Sequence, residues 1–133
     1  MNQIQELHQQ AMDLAEFAFT AKLRGDLEGA NQLHRQAFEK EAKAAGLLAA
    51  NLDAEPTRSI LHRSAATLAI DCGELQTAEK LIATALAGNP PQEIAEELKD
   101  LFIQLNLQHY FERRGIPFDQ EKFNNLMADK QLG

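Results

Sequence analysis

One pattern occurs twice in this chain. The first copy reads Ala18, Ala21, Gly25-Asp26-Leu27, Ala30, Ala37. The second reads Ala66, Ala69, Gly73-Glu74-Leu75, Ala78, Ala85, followed by Pro90. The spacings inside the two copies are identical. Each copy describes a helix, a tight turn at glycine and a second helix. Alanine lets two helix backbones approach closely, and glycine reaches the left-handed conformation that ends a helix. Such a chain is expected to stack helices rather than pair strands. Repeated helix pairs build binding surfaces more often than they carry chemistry.

A chain of 133 residues is expected to form one domain, 1–133. At this size roughly two-thirds of the unfolded surface is buried, enough for a core without metal or disulfide staples. Aromatics make up only 6% and Trp is absent, so small side chains must supply the helix contacts. Net charge is −7. Residues 1–58 carry nine acids and six bases, residues 59–133 eleven and seven, so neither half is basic. Phosphate binding needs a positive surface, which argues against nucleic acid and against an anionic membrane as partners. The lone cysteine, Cys72, precludes an internal disulfide and fits a reducing cytoplasm. The N-terminal residues hold no basic stretch followed by an apolar one, and no run approaches about 18 apolar residues. Neither a signal peptide nor a membrane span is expected, and the expected location is cytoplasmic.

Hydrophobic spacing places the helices. Ile4, Leu7, Ala11, Leu14, Ala18 and Ala21 form one stripe on a helix over 3–24. A long helix over 26–51 turns Leu27, Ala30, Leu33, Ala37, Ala44 and Leu48 inward. Asn51 to Pro56 reads as a loop. A third helix, 56–72, presents Ile60, Leu61, Ser64, Ala65, Leu68 and Cys72, and a fourth, 74–87, buries Leu75, Ala78, Leu81, Ile82 and Ala85. Gly88-Asn89-Pro90-Pro91 breaks the chain. A fifth helix, 91–113, carries Ile94, Leu98, Leu101, Phe102, Leu105 and Phe111. Gly115-Ile116-Pro117 is a turn before a short helix with Phe123, Leu126 and Met127. The organisation is a first helix pair over 11–51, a second over 56–88, a capping helix over 91–114 and a C-terminal helix over 118–130.

The duplicated spacing resembles the tetratricopeptide repeat, a helix–turn–helix of roughly 34 residues. Residues 59–90 match best, through Ala66, Gly73-Glu74-Leu75, Ala78, Ala85 and Pro90; residues 11–42 match through Ala18, Gly25-Asp26-Leu27, Ala30 and Ala37. The family's Trp site holds Leu14 and His62, its Tyr site Ala21 and Ala69, its aromatic site His34 and Ile82. The two turn glycines stand 48 residues apart, a longer offset than the family's. The resemblance implies an all-α fold of antiparallel helix-turn-helix repeats, a superhelix or right-handed bundle of about five to six helices. It further implies a non-enzymatic adaptor of the small bacterial cytoplasmic type, binding a protein or peptide through a concave groove. Groove-facing candidates are Met12, Ala15, Phe19 and Lys22 from the first pair, and Ile60, Arg63, Thr67 and Ile70 from the second. This mixed surface suits an extended peptide or helix carrying an acidic residue. The family's carboxylate clamp is not expected, because Glu16, Phe19, Ser64 and Thr67 stand where its asparagines belong. The plainer reading of Phe19, Ile60 and Ile70 is packing between helices.

Chemistry has little support in the motifs. His8, His34, His62 and His109 form no i, i+3 or i, i+4 pair, so no metal or other cofactor is expected. His62-Arg63-Ser64-Ala65-Ala66 invites a histidine phosphotransfer reading, but alanines stand where the following cation and glycine belong. Glu96, Glu97 and Asp100 suit a solvated helix start. Cys72 is expected to be a structural thiol. No residue is assigned a catalytic role. A self-assembling helical bundle, including a homodimer, remains the alternative to the adaptor.

Overall fold

The computed structural model describes residues 2–132, and among them the chain is all-α. Its six helices are α1 (Gln3–Leu23), α2 (Leu27–Leu48), α3 (Thr57–Asp71), α4 (Leu75–Leu86), α5 (Gln92–Arg113) and α6 (Gln120–Leu132). The chain divides into two compact units, one ending at Phe102 and the other starting at Ile103, inside α5. The side chain of Met127 lies outside the described residues. No described helix is long and apolar enough to cross a membrane.

The repeated glycine turns have one geometry. Gly25 and Gly73 sit at φ +84° and +76°. After α1, Asp26 N–H donates to Ala21 O at 2.9 Å and Gly25 N–H to Lys22 O at 3.0 Å. After α3, Glu74 N–H donates to Ala69 O at 2.8 Å and Gly73 N–H to Ile70 O at 3.0 Å. This is the Schellman closure, which satisfies carbonyls a helix end leaves open. Asp26 then caps α2 through its side chain, accepting from Gly29 N–H at 2.9 Å.

In the first unit α1 lies against α2, α2 against α3, and α3 against α4. Alanine forms the seams: Ala11, Ala18, Ala37, Ala66, Ala69, Ala78 and Ala85 are fully buried. A core cluster of Leu7, Ala44, Ala45, Leu61 and Ala65, with Ile4, Leu48 and Leu81 packed on it, joins all four helices. Leu27 and Leu75, expected inward, are instead 61% and 50% exposed. Each opens its helix directly after the cap. Helical side chains lean toward the N-terminus, so these two overhang the turn rather than the seam. In α5, Ile94 and Leu98 are buried, but Phe102 is 39% exposed where the first unit ends. Helix α2 stops at Leu48, short of the expected Asn51, whose N–H instead turns back to Leu48 O at 2.9 Å.

Polar groups hold the helices in register. Glu41 of α2 is fully buried, and His8 Nδ1 of α1 donates to its two oxygens at 3.0 and 2.9 Å. Arg58, in the first turn of α3, is 2% exposed. Its Nε donates to Ala49 O at 3.0 Å, at the C-cap of α2. Its Nη2 donates to Thr84 O at 2.9 Å and Nη1 to Ala85 O at 3.5 Å, in the last turn of α4. One guanidinium therefore reaches carbonyls on two helix ends, where the helix dipoles also favour a cation. Glu55 lies 3.8 Å from the same guanidinium and accepts from Ser59 N–H at 3.1 Å and Ser59 Oγ at 2.9 Å, capping α3. A side chain at Gly88 would collide with the Arg58 guanidinium.

Replacing Arg58 with alanine should cost on the order of 3 kcal/mol in urea unfolding, because the Ala49 and Thr84 carbonyls lose their side-chain donor and Glu55 its nearby cation. Arg58→Lys should recover only part of that loss, since one ammonium cannot span both helix ends. The glycines should divide by sign. Gly73→Ala should destabilise by about 1 kcal/mol because φ is positive there. Gly46→Ala, with open space around the new methyl, should stabilise by about 0.5–1 kcal/mol in the same assay.

Candidate functional site

The Schellman turn after α1 leaves the ends of three helices around a cleft. It has a volume of about 490 Å³. Ala15, Phe19 and Lys22 come from α1, Leu27, Ala30, Asn31 and His34 from α2, and Leu68 and Asp71 from α3. The small Ala15 and Ala30 make room, and buried Leu68 supplies an apolar wall. Phe19 and Leu27 are each 61% exposed, so neither is a core residue.

Polar groups converge on the same space. Among the described residues neither Lys22 nor Asp71 enters an ion pair, and His34 Nδ1 is buried without a hydrogen-bond partner. Desolvation raises the Asp71 carboxyl above the usual carboxylate range, against the opposing pull of His34 and Lys22. A cleft lined about equally by apolar and polar groups can seat a partner segment that carries both.

Of the eight groove candidates, the structure brings Ala15, Phe19 and Lys22 together in this cleft. Met12 is half-buried on α1. The α3 candidates lie elsewhere. Arg63 pairs with Glu97 of α5 at 2.9 Å, and Thr67 Oγ1 donates to Arg63 O at 3.1 Å. Ile70 is half-buried. Ile60 lines a second, open cavity of about 750 Å³ with Pro56, Pro91, Glu93, Ile94 and Glu96. The α3 stripe that meets the cleft is Leu68 and Asp71. One step along a helix turns a side chain by about 100°, so a one-residue error in rotation swaps the whole wall. Leu68 appeared in the inward stripe, whereas Asp71 had no sequence signal beyond its place before the turn.

The residues considered for chemistry are enclosed or unactivated. His62 is 1% exposed, and its Nδ1–H donates to Arg58 O at 2.7 Å. That leaves no open approach for a phosphodonor, which argues against phosphotransfer at this ring. Half-buried Cys72 has its thiol pushed up by desolvation, only partly offset by Arg35, and a raised thiol is a poor nucleophile. Among the described residues no three His, Cys, Asp or Glu side chains gather in a metal-binding arrangement. A scan against models of known families found no match, and searches of curated proteins and of solved structures also returned none.

Burial lowers His62 from its ordinary 6.5, opposed by its bond to the Arg58 carbonyl and assisted by the Arg58 charge. The unfolded chain therefore binds this proton more tightly than the folded one. The His62 contribution is intact above pH 6.5 and is lost as pH falls from there through the lowered folded value. Asp71, raised above 3.8 by desolvation, acts with the opposite sign. His62→Asn should flatten the fall in unfolding free energy below pH 6.5 relative to wild type, measured by urea titration at stepped pH.

Proposed function

We propose that this chain is a non-catalytic protein-interaction module, and that a partner segment docks in the cleft between α1, α2 and the end of α3. The observation that carries this reading is the exposure of Phe19 and Leu27 on the rim of a cleft that also bears an unpaired Lys22. Large apolar side chains gathered on a surface mark interaction sites. A partner apolar side chain covers Phe19 and Leu27, and a partner carboxylate meets the Lys22 ammonium. Asn31 and Asp71 offer hydrogen-bonding groups to the partner backbone. The tetratricopeptide-like spacing supports the same class of function, since helix pairs of that kind present surfaces rather than reactive groups. A cytoplasmic setting belongs to this reading and agrees with the lone, unactivated cysteine.

A peptide-display selection against the wild-type chain tests it. Enriched peptides should pair a large apolar residue with an Asp or Glu about one helical turn away. The Phe19→Glu, Lys22→Glu variant should bind them at least about tenfold more weakly. Its unfolding free energy should stay within about 0.5 kcal/mol of wild type for each exposed site changed. Arg63→Ala, which touches Glu97 and not the cleft, should bind as wild type does. A selection with no consensus, or unchanged binding by the double variant, overturns the reading.

A further inference from the structure

Charge is unevenly divided between the two units. Residues 1–102 carry sixteen acids and nine bases, and residues 103–133 carry four of each. The whole net charge of −7 therefore lies in the first unit. Two copies meeting through first-unit faces would bring like charge together. A contact between the first unit of one copy and the second unit of another avoids that repulsion.

The second unit presents a cationic, aromatic end. Gly115, at φ +67°, closes α5, with Ile116 N–H donating to Phe111 O at 2.9 Å. Behind this turn the rings run Tyr110, Phe111, Phe118, Phe123 with centroids 5.9, 5.5 and 5.7 Å apart. Phe123 is buried and anchors the row, while Tyr110 at its end is 40% exposed. The guanidinium carbons of Arg114 and Arg113 lie 5.1 and 6.0 Å from the Tyr110 ring centre. Both distances are within the range of a cation–π attraction, and arginine N–H groups donate to carboxylates in pairs. Ile116, 50% exposed, adds apolar surface beside them.

The first unit carries a matching receptor. The 750 Å³ cavity between the starts of α3 and α5 has apolar walls of Pro56, Ile60, Pro91 and Ile94, with Glu93 and Glu96 at its edge. Among the described residues Glu93 enters no ion pair, and Glu96 takes only a 3.5 Å bond from Gln92. Two carboxylates outside any ion pair among the described residues outweigh the roughly half-unit positive charge of the α5 N-terminus. Proline and isoleucine walls accept a ring, and carboxylates accept the paired N–H groups of arginine.

We propose that this chain associates with a second copy of itself, the Tyr110–Arg113–Arg114 end of one copy entering the Glu93–Glu96 cavity of the other. Tyrosine and arginine are the side chains that most often dominate such contacts. The receptor cavity shares no lining residue with the α1–α2–α3 cleft.

Sedimentation velocity over a wide concentration range tests this with charge-reversed pairs. Wild type should self-associate, and more weakly as salt is raised. Arg113→Glu, Arg114→Glu places acid against acid, and Glu93→Lys, Glu96→Lys places base against base, so each alone should associate at least about tenfold more weakly. An equal mixture of the two variants should associate again, because each knob now faces a cavity of opposite sign. Glu93→Gln, Glu96→Gln, which removes charge without adding any, should be intermediate. Helicity by circular dichroism confirms that all variants are folded. The proposal is overturned by a wild type that stays monomeric throughout. Folded variants that associate as wild type does, or a mixture that stays apart, would overturn it equally.

Discussion

The first unit depends on one buried cation. Arg58 lies on α3, yet its hydrogen bonds go to the ends of α2 and α4. Without it, the half-buried Ala49 and Thr84 carbonyls would lose their side-chain donor, while the Ala85 carbonyl would keep Gly88 N–H at 3.1 Å. A carbonyl that loses its donor costs about as much as a good hydrogen bond contributes, so the second helix pair seats best against the first where this guanidinium reaches Ala49 and Thr84 together. Glu55 balances part of the charge while capping α3, and the Arg58 carbonyl orients His62. Gly88 leaves the space that the guanidinium fills. Two helix ends, Glu55, His62 and Gly88 thus answer to one side chain.

Around that joint the packing is made of small residues. Alanine seams bring helices close but bury little area per residue, and with few large side chains inside, stability rests on many short contacts. The same economy leaves several large apolar side chains outside. Phe19 and Leu27 overhang one turn, and Tyr110 and Ile116 stand at another. Core positions that demand alanine cannot absorb a phenylalanine without overpacking. The exposed rings therefore belong to the surface by default of the core, and the two proposed contacts use them.

The glycine turns and alanine seams were legible because both are local or nearly so. Gly25 and Gly73 need only their own backbone conformation, and Ala18, Ala30, Ala66 and Ala78 need only the adjoining helix across a three-residue turn. Leu27 and Leu75 were misread for a reason the period cannot carry. A stripe gives a face, not the point along the helix at which its neighbour ends. Glu41 left a trace, since the inward series skips from Ala37 to Ala44 and the omitted i+4 position is Glu41 itself. Its partner His8 lies on another helix and had no such mark.

The sequence by itself determined that the chain is helical, where the glycine-closed helices α1 and α3 stop and which small residues lie buried in each pair. Those features follow from backbone freedom at glycine and from hydrophobic period, which act over a few residues. Only the tertiary structure decided how α3 is rotated, and with it that Leu68 and Asp71 rather than Thr67 and Ile70 meet Phe19 and Lys22. It also decided that Arg58, Glu41 and His62 lie inside. A charged side chain can be buried only where groups distant in the chain converge to satisfy it, and no spacing along one helix specifies that convergence.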